Sequence, residues 1–378
     1  MVWGLAVQFL FAKEHFYNWR EITPIRHFPD YNASASINPI YREVSVSIEL
    51  SKVGVVAIGR NEGERLERCL NSLKDLPLVY VDSGSSDNSV ALARSMGAHC
   101  VELDLTRPFT AARARNTGFR ALLERHPDLN WVMFVDGDCE VQPDWLPQAL
   151  NTAQSDPQIA VVCGRRRERY PSATIYNEMC DIEWNTPVGE ARACGGDALY
   201  RVAVFQQVGG FDDSFIAGEE PELCFRIREH SHKIRRIDAE MTLHDAAMTR
   251  IGQWWKRTER SGHAYLLNYL KHGTKNAERL NYREIRSILL WACIYLLLLM
   301  ATLFLRSPIP LILLTLLIAS QAAKMTLAQP RLKAQYGKPS TFRYCVFIML
   351  GKVPQALGIL RAYRNKRSGR EHRLVEYK

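Results

Sequence analysis

The sequence predicts an α/β domain with a mainly parallel sheet, followed by two membrane-crossing helices and a basic C-terminal segment. Short apolar runs alternate with segments of helical periodicity between residues 53 and 135. Strands separated by helices of this length form βαβ units, whose strands lie parallel in one sheet. Residues 287–305 carry no charge, and a segment of this length can cross the hydrocarbon core of a bilayer.

Four strands and three helices follow each other from residue 53. The strands are residues 53–58, 78–81, 100–103 and 131–135, and the second and third helices are residues 89–96 and 111–125. One face of the first helix is apolar at i, i+3, i+4 and i+7 spacing, through Leu66, Cys69, Leu70 and Leu73. Beyond Asp144 we expect a helix to about Gln154, a strand at residues 159–163, and an irregular stretch to about Phe211.

Composition separates the chain into two parts of different charge. Residues 324–378 contain thirteen Lys or Arg and two Glu, which gives this segment a net charge of +11. The net charge of the whole chain is +9. The excess lies in a basic tail, which indicates an anionic surface as its partner. The nine cysteines include no Cys-x-x-Cys pair, which favours reduced thiols in the cytosol over disulfides or a zinc site.

The apolar C-terminal third predicts a membrane hairpin. The first helix is residues 287–305, and the second, residues 311–323, is short enough either to span a thinned bilayer or to be re-entrant. A buried helical hairpin of a soluble protein is the alternative. Basic residues flank the pair on both sides, so the positive-inside rule places both ends in the cytoplasm. Residues 344–360 contain Lys352 and Pro354 and are predicted to be interfacial.

These patterns predict five regions. They are an N-terminal extension (1–50), an α/β domain (51–263), a linker or interfacial helix (264–286), two transmembrane helices (287–323) and an interfacial basic tail (324–378). Residues 1–12 are apolar but lack the basic start and cleavage site of a secretory signal. A core or interfacial segment is the better prediction for them.

Two acids follow the fourth strand directly, as Asp136-Gly-Asp138. Ligands of open α/β sheets bind beyond the carboxyl ends of strands. Two carboxylates there can hold a hard divalent cation, which substrate phosphates would share. The alternative is an ordinary surface turn, because Asp and Gly are common in turns.

The order of motifs between about residues 52 and 263 resembles glycosyltransferase family 2, inverting enzymes with a GT-A fold. The matching segments are residues 55–62, ending in Asn61-Glu62; residues 81–87, containing Asp82 and Asp87; Ala114-Arg115-Asn116-Thr117-Gly118; Asp136-Gly137-Asp138; and residues 218–226, which begin Gly218-Glu219-Glu220. The whole chain resembles membrane-associated bacterial members that make surface polysaccharides or glycolipids.

The resemblance implies roles for the donor-binding residues. Glu62 and Asp82 would line the nucleoside pocket, Arg113 and Arg115 would pair with the diphosphate, and Asp136 would contact the ribose or support the metal. Asp138 and His244 would be ligands of Mn²⁺ or Mg²⁺, and a bound His favours Mn²⁺. Helix capping by Asp82, a solvated helix face for one of the two arginines, and a structural role for His244 remain open.

The resemblance also implies the residues that act on the sugar and the acceptor. The family has Asp where this chain has Glu220, so the base is either Glu219 or Glu220, and we favour Glu220. The loop of Gly195, Gly196 and Asp197 would approach the donor sugar. Trp254, in a poor match to the Gln-x-x-Arg-Trp motif, would stack on a sugar or anchor the domain at the membrane interface.

The function implied is an inverting, metal-dependent glycosyltransferase at the cytoplasmic face of the inner membrane. Its partners would be a nucleotide-diphosphate sugar, a lipid-linked or glycan acceptor and membrane lipids, and no nucleic acid. A catalytically weak, membrane-anchored nucleotide-sugar-binding scaffold is the alternative. A dinucleotide oxidoreductase is disfavoured because no Gly-x-Gly-x-x-Gly follows the first strand.

Overall fold

Nine strands form one mixed sheet in the computed structural model, which describes residues 50–274 and 278–368. The order along the sheet is β3-β2-β1-β4-β8-β6-β9-β5, and β7 pairs with β9. The strands are β1 Val53–Gly59, β2 Leu78–Asp82, β3 His99–Glu102, β4 Trp131–Asp136, β5 Cys139–Val141, β6 Ile159–Glu168, β7 Gly189–Glu190, β8 Ala198–Arg201 and β9 Lys233–His244.

Twelve α-helices and one short π-helix, Tyr269–Gly273, accompany the sheet in the described ranges. The α-helices are α1 Glu64–Asn71, α2 Ser89–Ser95, α3 Ala111–Arg125, α4 Trp145–Ser155, α5 Ile175–Trp184, α6 Val202–Gln207, α7 Glu219–Glu229, α8 Ile251–Asn268, α9 Tyr282–Leu305, α10 Ile309–Leu327, α11 Pro330–Leu350 and α12 Lys352–Ser368. The predicted N-terminal extension, including residues 1–12, and the end of the basic tail lie outside the described residues.

The N-terminal half of the sheet is parallel, as predicted. Strand β1 pairs in parallel with β2 and with β4, and β2 pairs in parallel with β3. The central strands β1 and β4 are rich in Val and are buried on both faces, which is typical of a parallel sheet covered by helices. The apolar face predicted for the first helix is confirmed, because Leu66, Cys69, Leu70 and Leu73 are all buried.

The C-terminal half of the sheet is mixed. The prediction that the chain is irregular from residue 163 to about Phe211 is wrong in part. This stretch contains helix α5 and strand β8, and β8 lies in the middle of the sheet, antiparallel to both β4 and β6. Strand β8 has only four residues and follows Gly195-Gly196-Asp197, so neither its length nor its flanks predicted a strand. Strand β6 also continues beyond Cys163 to Glu168.

Helices α9 and α10 are long and apolar enough to cross a membrane, and most of their apolar side chains are exposed. Leu303 is 72% exposed and Phe304 is 87% exposed. Exposed apolar side chains in such numbers are what contact with lipid requires. The segment Pro330–Ser368 also qualifies by length and composition, so the part predicted to be interfacial is a third candidate span.

Helix α8 connects the α/β domain to these apolar helices through direct contact of its backbone with α12. A Cβ atom at Gly262 would lie 2.0 Å from the carbonyl oxygen of Gln355, and one at Gly358 would lie 1.9 Å from that of Glu259. The tyrosine hydroxyl of Tyr295 on α9 donates to the carbonyl of Met349 at 3.0 Å. The apolar helices are therefore packed against the domain by contacts that tolerate only glycine at the crossing.

We predict that Gly262→Ala lowers the free energy of unfolding by about 1–3 kcal/mol, because the added methyl group has no space at the crossing with α12. The matched control is Gly252→Ala on the same helix, where a Cβ would meet nothing within 4 Å. That change should be neutral or stabilise by up to about 1 kcal/mol through helix propensity. Thermal unfolding of the detergent-solubilised protein measures both, and equal effects would contradict the close packing.

Candidate functional site

The carboxyl ends of β1, β2 and β4 meet at one edge of the sheet, beside a cavity of about 260 Å³. Gly59 of β1 lies opposite Asp82 of β2, and Ile58 lies opposite Asp136 of β4. Three acids, Glu62, Asp136 and Asp138, line the cavity together with His244. The cavity lies where open α/β sheets bind their ligands.

Asp136 is held by two arginines, of which Arg115 is buried and Arg166 is half-buried. Its Oδ1 atom accepts a hydrogen bond from Arg115 at 2.7 Å, and its Oδ2 atom lies 3.4 Å from a guanidinium nitrogen of Arg166. Arg115 also pairs with Glu219 at 2.9 Å, and Arg166 pairs with Asp197 at 2.7 Å. Burial by itself lowers the pKa of each arginine, but the neighbouring carboxylates raise it by more. The net pKa is above the usual arginine value, so both side chains stay charged.

Asp138 and His244 converge to form the candidate metal site. Strand β5 pairs antiparallel with β9, which places Cys139 opposite His244. The Oδ2 atom of Asp138 lies 3.3 Å from Nε2 of His244. That separation is close to the roughly 3 Å between neighbouring ligand atoms around a small divalent ion.

The surroundings of His244 fit a metal ligand. Its Nδ1 atom is buried without a hydrogen-bond partner among the described residues, and the nearest carboxylate oxygen, Oε2 of Glu168, is 3.7 Å away. A carboxylate behind an imidazole ligand orients the ring and selects its tautomer. The edge of the ring also packs against Trp184, with 4.7 Å between ring centroids. One carboxylate oxygen and one imidazole nitrogen leave room for phosphate and water oxygens on the same ion.

The predicted nucleoside-binding residues lie on the β1 and β2 side of the cavity. Glu62 lines the cavity and forms an ion pair with Arg65 at 2.9 Å. Asp82 is buried, and its carboxylate accepts hydrogen bonds from its own loop: the backbone N–H groups of Gly84 and Ser85, and the hydroxyl of Ser85. Asp82 therefore shapes its own loop, which differs from the helix capping that the sequence offered as the alternative. Its contact with a base stays a prediction.

Arg113 has a different environment from the one predicted. It does not line the cavity, and its guanidinium donates to the backbone carbonyls of Asp104, Arg107 and Pro108. These bonds hold the loop that precedes α3. The solvated helix face that the sequence offered as the alternative does not describe Arg113 either, because its side chain is buried, whereas Arg115 faces Asp136.

The loop of Gly195, Gly196 and Asp197 packs against Asp136 and holds it in position. Asp197 is fully buried and accepts hydrogen bonds from the backbone N–H of Asp136 and from the hydroxyl of Thr242. A Cβ at Gly196 would lie 2.8 Å from Oδ2 of Asp136, and Gly195 has a φ of +88°. The prediction that Asp197 contacts the donor sugar is therefore wrong, because no part of its side chain reaches solvent.

Glu219 and Glu220 begin α7 and point to different partners. Glu219 pairs with Arg115, whereas Oε1 of Glu220 accepts hydrogen bonds from the backbone N–H of Cys194 at 2.6 Å and from the thiol of Cys224 at 3.0 Å. Burial raises the pKa of Glu220 above the usual glutamate range, although these hydrogen bonds oppose the shift. Neither carboxylate lines the cavity.

Trp254 packs inside the protein and is not available to stack on a sugar. It is 8% exposed, and its ring meets Phe347 of α11 edge-on at 5.2 Å between centroids. The sugar-binding assignment of Trp254 is therefore wrong in this structure. Its contact with an apolar C-terminal helix agrees with the anchoring role that the sequence offered as the alternative.

Several cations that line the cavity were not predicted as site residues: Arg60, Arg166, Arg257 and Arg260. Arg60 follows β1, and its guanidinium lies over the ring of Phe109. Arg166 lies on the part of β6 that the sequence did not predict. Arg257 and Arg260 are one turn apart on α8, and Arg257 forms a two-fold ion pair with Glu183. The i, i+3 spacing on an amphipathic helix was the available signal.

Comparisons with known proteins identify a family over the N-terminal part of this domain. The model of the family described as "Glycosyl transferase family 2" matches residues 55–209. The pre-mycofactocin glycosyltransferase of Mycobacterium tuberculosis is 26% identical over 252 residues, which are 63% of this chain and 50% of that protein. The O-antigen chain rhamnosyltransferase RfbN of Salmonella typhimurium is 24% identical over 202 residues, 48% of this chain and 63% of that protein. The chain thus spans about half the length of the first of these relatives.

A solved structure shares the fold over most of the chain. It is the mannosyltransferase PcManGT from Pyrobaculum calidifontis in complex with GDP-Man and Mn²⁺, with a TM-score of 0.52. The identity is 18%, and the match covers 85% of this chain and 94% of that chain. At this identity the likeness establishes the fold, and the predicted GT-A fold is confirmed.

We predict that Arg115→Met destabilises the protein by about 3 kcal/mol, because it leaves Glu219 and part of Asp136 as buried carboxylates without their cation. The control is Arg120→Met on the same helix, where the arginine is exposed and bonds only to the hydroxyl of Thr117. Chemical denaturation of the purified protein compares the two. A similar loss in both variants would show that the Asp136–Arg115–Glu219 network is not what stabilises this region.

Proposed function

We propose that this chain, which belongs to glycosyltransferase family 2, is an inverting, metal-dependent enzyme that transfers a sugar from a nucleotide-diphosphate donor to an acceptor at the membrane. The observation that carries the proposal is the convergence of Asp138 and His244 beside Asp136 in a cavity lined by arginines. Acids and a histidine suit a divalent ion, and the arginines suit the phosphates that such an ion would bind.

The donor is proposed to lie with its diphosphate between the metal site and the cations. Asp138 and His244 would hold the ion, and the imidazole ligand favours Mn²⁺ over Mg²⁺. When bound, the ion neutralises charge that develops on the departing diphosphate. Arg166, Arg257 and Arg260 line the same cavity and would add fixed positive charge around that leaving group. The paired arginines Arg115 and Arg166 keep Asp136 in place.

Glu220 is proposed as the base that takes the proton from the acceptor hydroxyl. A base must be free of a permanent cation, and Glu219 is paired with Arg115. Glu220 is buried, and its pKa is raised toward the range in which a carboxylate accepts protons efficiently. Glu220 does not line the cavity, and it lies next to the loop of Gly195 and Gly196. The acceptor is therefore proposed to enter beside this loop, so that its hydroxyl reaches Glu220.

The acceptor is proposed to be lipid-linked or a growing glycan at the cytoplasmic face of the inner membrane. Helix α8 provides Arg257 and Arg260 to the cavity and packs directly on the apolar helix α12. The exposed apolar faces of α9 and α10 would lie in the bilayer, which holds the cavity close to its surface. The relative RfbN is named as an O-antigen chain rhamnosyltransferase, and an O-antigen chain is a glycan.

We predict that Asp138→Asn weakens Mn²⁺-dependent donor binding by about 10- to 100-fold, because it removes one of the two protein ligands. Calorimetry against UDP-, GDP- and dTDP-sugars, each with Mn²⁺, Mg²⁺ or EDTA, measures binding. Release of nucleoside diphosphate measures turnover. The control is Asp144→Asn, an exposed acid six residues along the same segment.

Three outcomes would count against the proposal. If no donor binds with any metal, the enzyme proposal fails. If Asp138→Asn binds the donor as the unchanged protein does, the metal assignment fails. If a donor binds but is never transferred, the nucleotide-sugar-binding scaffold is the better description.

We predict that Glu220→Gln keeps donor binding and loses transfer by about 10²- to 10⁴-fold. In the unchanged protein, transfer should fall as the pH drops through the raised pKa of Glu220, since a base acts in its deprotonated form. The midpoint of that fall should therefore lie above the usual glutamate range. Glu219→Gln serves as the control and should leave the midpoint in place. The opposite pattern in the two variants would assign the base to Glu219.

A further inference from the structure

The thiols of Cys194 and Cys224 lie together beside Glu220, and the proposed transfer reaction uses neither of them. Their sulfur atoms are 3.5 Å apart, which is van der Waals contact. Cys194 belongs to the loop between β7 and β8, whereas Cys224 lies on α7. A bond between the two sulfurs would therefore join two separate elements of the fold.

The carboxylate of Glu220 contacts both thiols from one side. Its Oε1 atom accepts hydrogen bonds from the thiol of Cys194 at 3.2 Å and from the thiol of Cys224 at 3.0 Å. The backbone N–H of Cys194 donates to the same oxygen at 2.6 Å. Two of the hydrogen bonds that stabilise the charged form of Glu220 thus depend on reduced cysteines.

We propose that Cys194 and Cys224 form a reversible redox modification site, at which a low-molecular-weight disulfide oxidises the pair to an intramolecular disulfide. The first step is attack by the Cys194 sulfur on one sulfur of the oxidant, which releases one small thiol. The Cys224 sulfur then attacks the mixed disulfide at Cys194 and releases the second small thiol. Two protein thiols are oxidised and one small disulfide is reduced to two thiols.

The position of the two residues sets the order of these steps. Cys194 is partly exposed and Cys224 is buried, so the oxidant meets Cys194 first. Burial raises the pKa of both thiols, so the resting pair is protonated. Oε1 of Glu220 is within hydrogen-bond distance of both, so it can accept the proton of each attacking thiol and pass it to the departing small thiolate.

The effect on activity rests on the proposed function, whereas the disulfide itself does not. Oxidation removes both S–H donors from Glu220, which makes its charged form less favourable. It also ties the loop of Gly195 and Gly196 to α7. Transfer should therefore fall, while donor binding at Asp138 and His244 should persist because these two residues line the cavity and the two cysteines do not.

The test exposes the full-length, detergent-solubilised protein to oxidised glutathione. We expect a mass decrease of two hydrogen atoms, a non-reduced peptide that links Cys194 to Cys224, and reversal by dithiothreitol. Cys194→Ser and Cys224→Ser should each abolish the link. Cys100→Ser, which removes a partly exposed thiol on β3, should leave it intact.

Activity is measured on the same samples. Oxidation should lower transfer by about tenfold or more while donor binding is retained, and whatever transfer Cys194→Ser keeps should be insensitive to the oxidant. If both thiols are still alkylated after oxidation and denaturation, or if glutathione stays on Cys194, the modification site is refuted. A complete link without loss of transfer would establish the site and contradict the role of Glu220 as the base.

Discussion

Asp136 is held between two arginines, one buried and one half-buried, that come from opposite halves of the sheet. Arg115 lies on α3 in the parallel half, and Arg166 lies on β6 in the mixed half. The same arginines bind Glu219 and Asp197, so the network joins the end of β4 to α7 and to the loop before β8. Removing one member would leave a buried charge without a partner, which is why the network constrains the geometry of the whole site.

This network separates the acids of the site by role. Asp136 and Asp197 are fully engaged in ion pairs and hydrogen bonds, and they position the turn that contains Asp138. Asp138 faces His244, whose other nitrogen has no hydrogen-bond partner among the described residues. A carboxylate oxygen and an imidazole nitrogen that lie 3.3 Å apart are a pair of ligands suited to a divalent cation. Within the Asp136-Gly137-Asp138 turn, the metal is therefore proposed to bind at Asp138.

Helix α8 connects the cavity to the apolar C-terminal helices. One side of the helix presents Arg257 and Arg260 to the cavity, and the other packs on α11 and α12 through Trp254 and Gly262. The wall of the cavity and the support of the apolar helices are thus the same element. A change in how those helices pack would therefore move two cations relative to the proposed metal site.

Local patterns in the sequence predicted much of the fold. The alternation of strands and helices from residue 53 to residue 136 came from short apolar runs and one amphipathic helix, because burial on a sheet demands these periodicities. Strand β8 was missed, since four residues beside a Gly-Gly pair carry no strand pattern and depend on pairing with β4 and β6. Arg113 and Trp254 were misplaced for a related reason: their residue types suit phosphate and sugar, but only packing decides which way a side chain points.

The sequence by itself determined the parallel half of the sheet, the acids at its edge and the apolar helices, since each depends on composition and spacing within a short segment. The tertiary structure alone decided that Arg115 and Arg166 converge on Asp136, that His244 meets Asp138, and that Cys194, Cys224 and Glu220 form one cluster. Apart from the i, i+4 contact of Glu220 with Cys224, these contacts join residues that lie 21 to 106 positions apart in the chain. Their partners are chosen by strand pairing and helix packing, which no local pattern encodes.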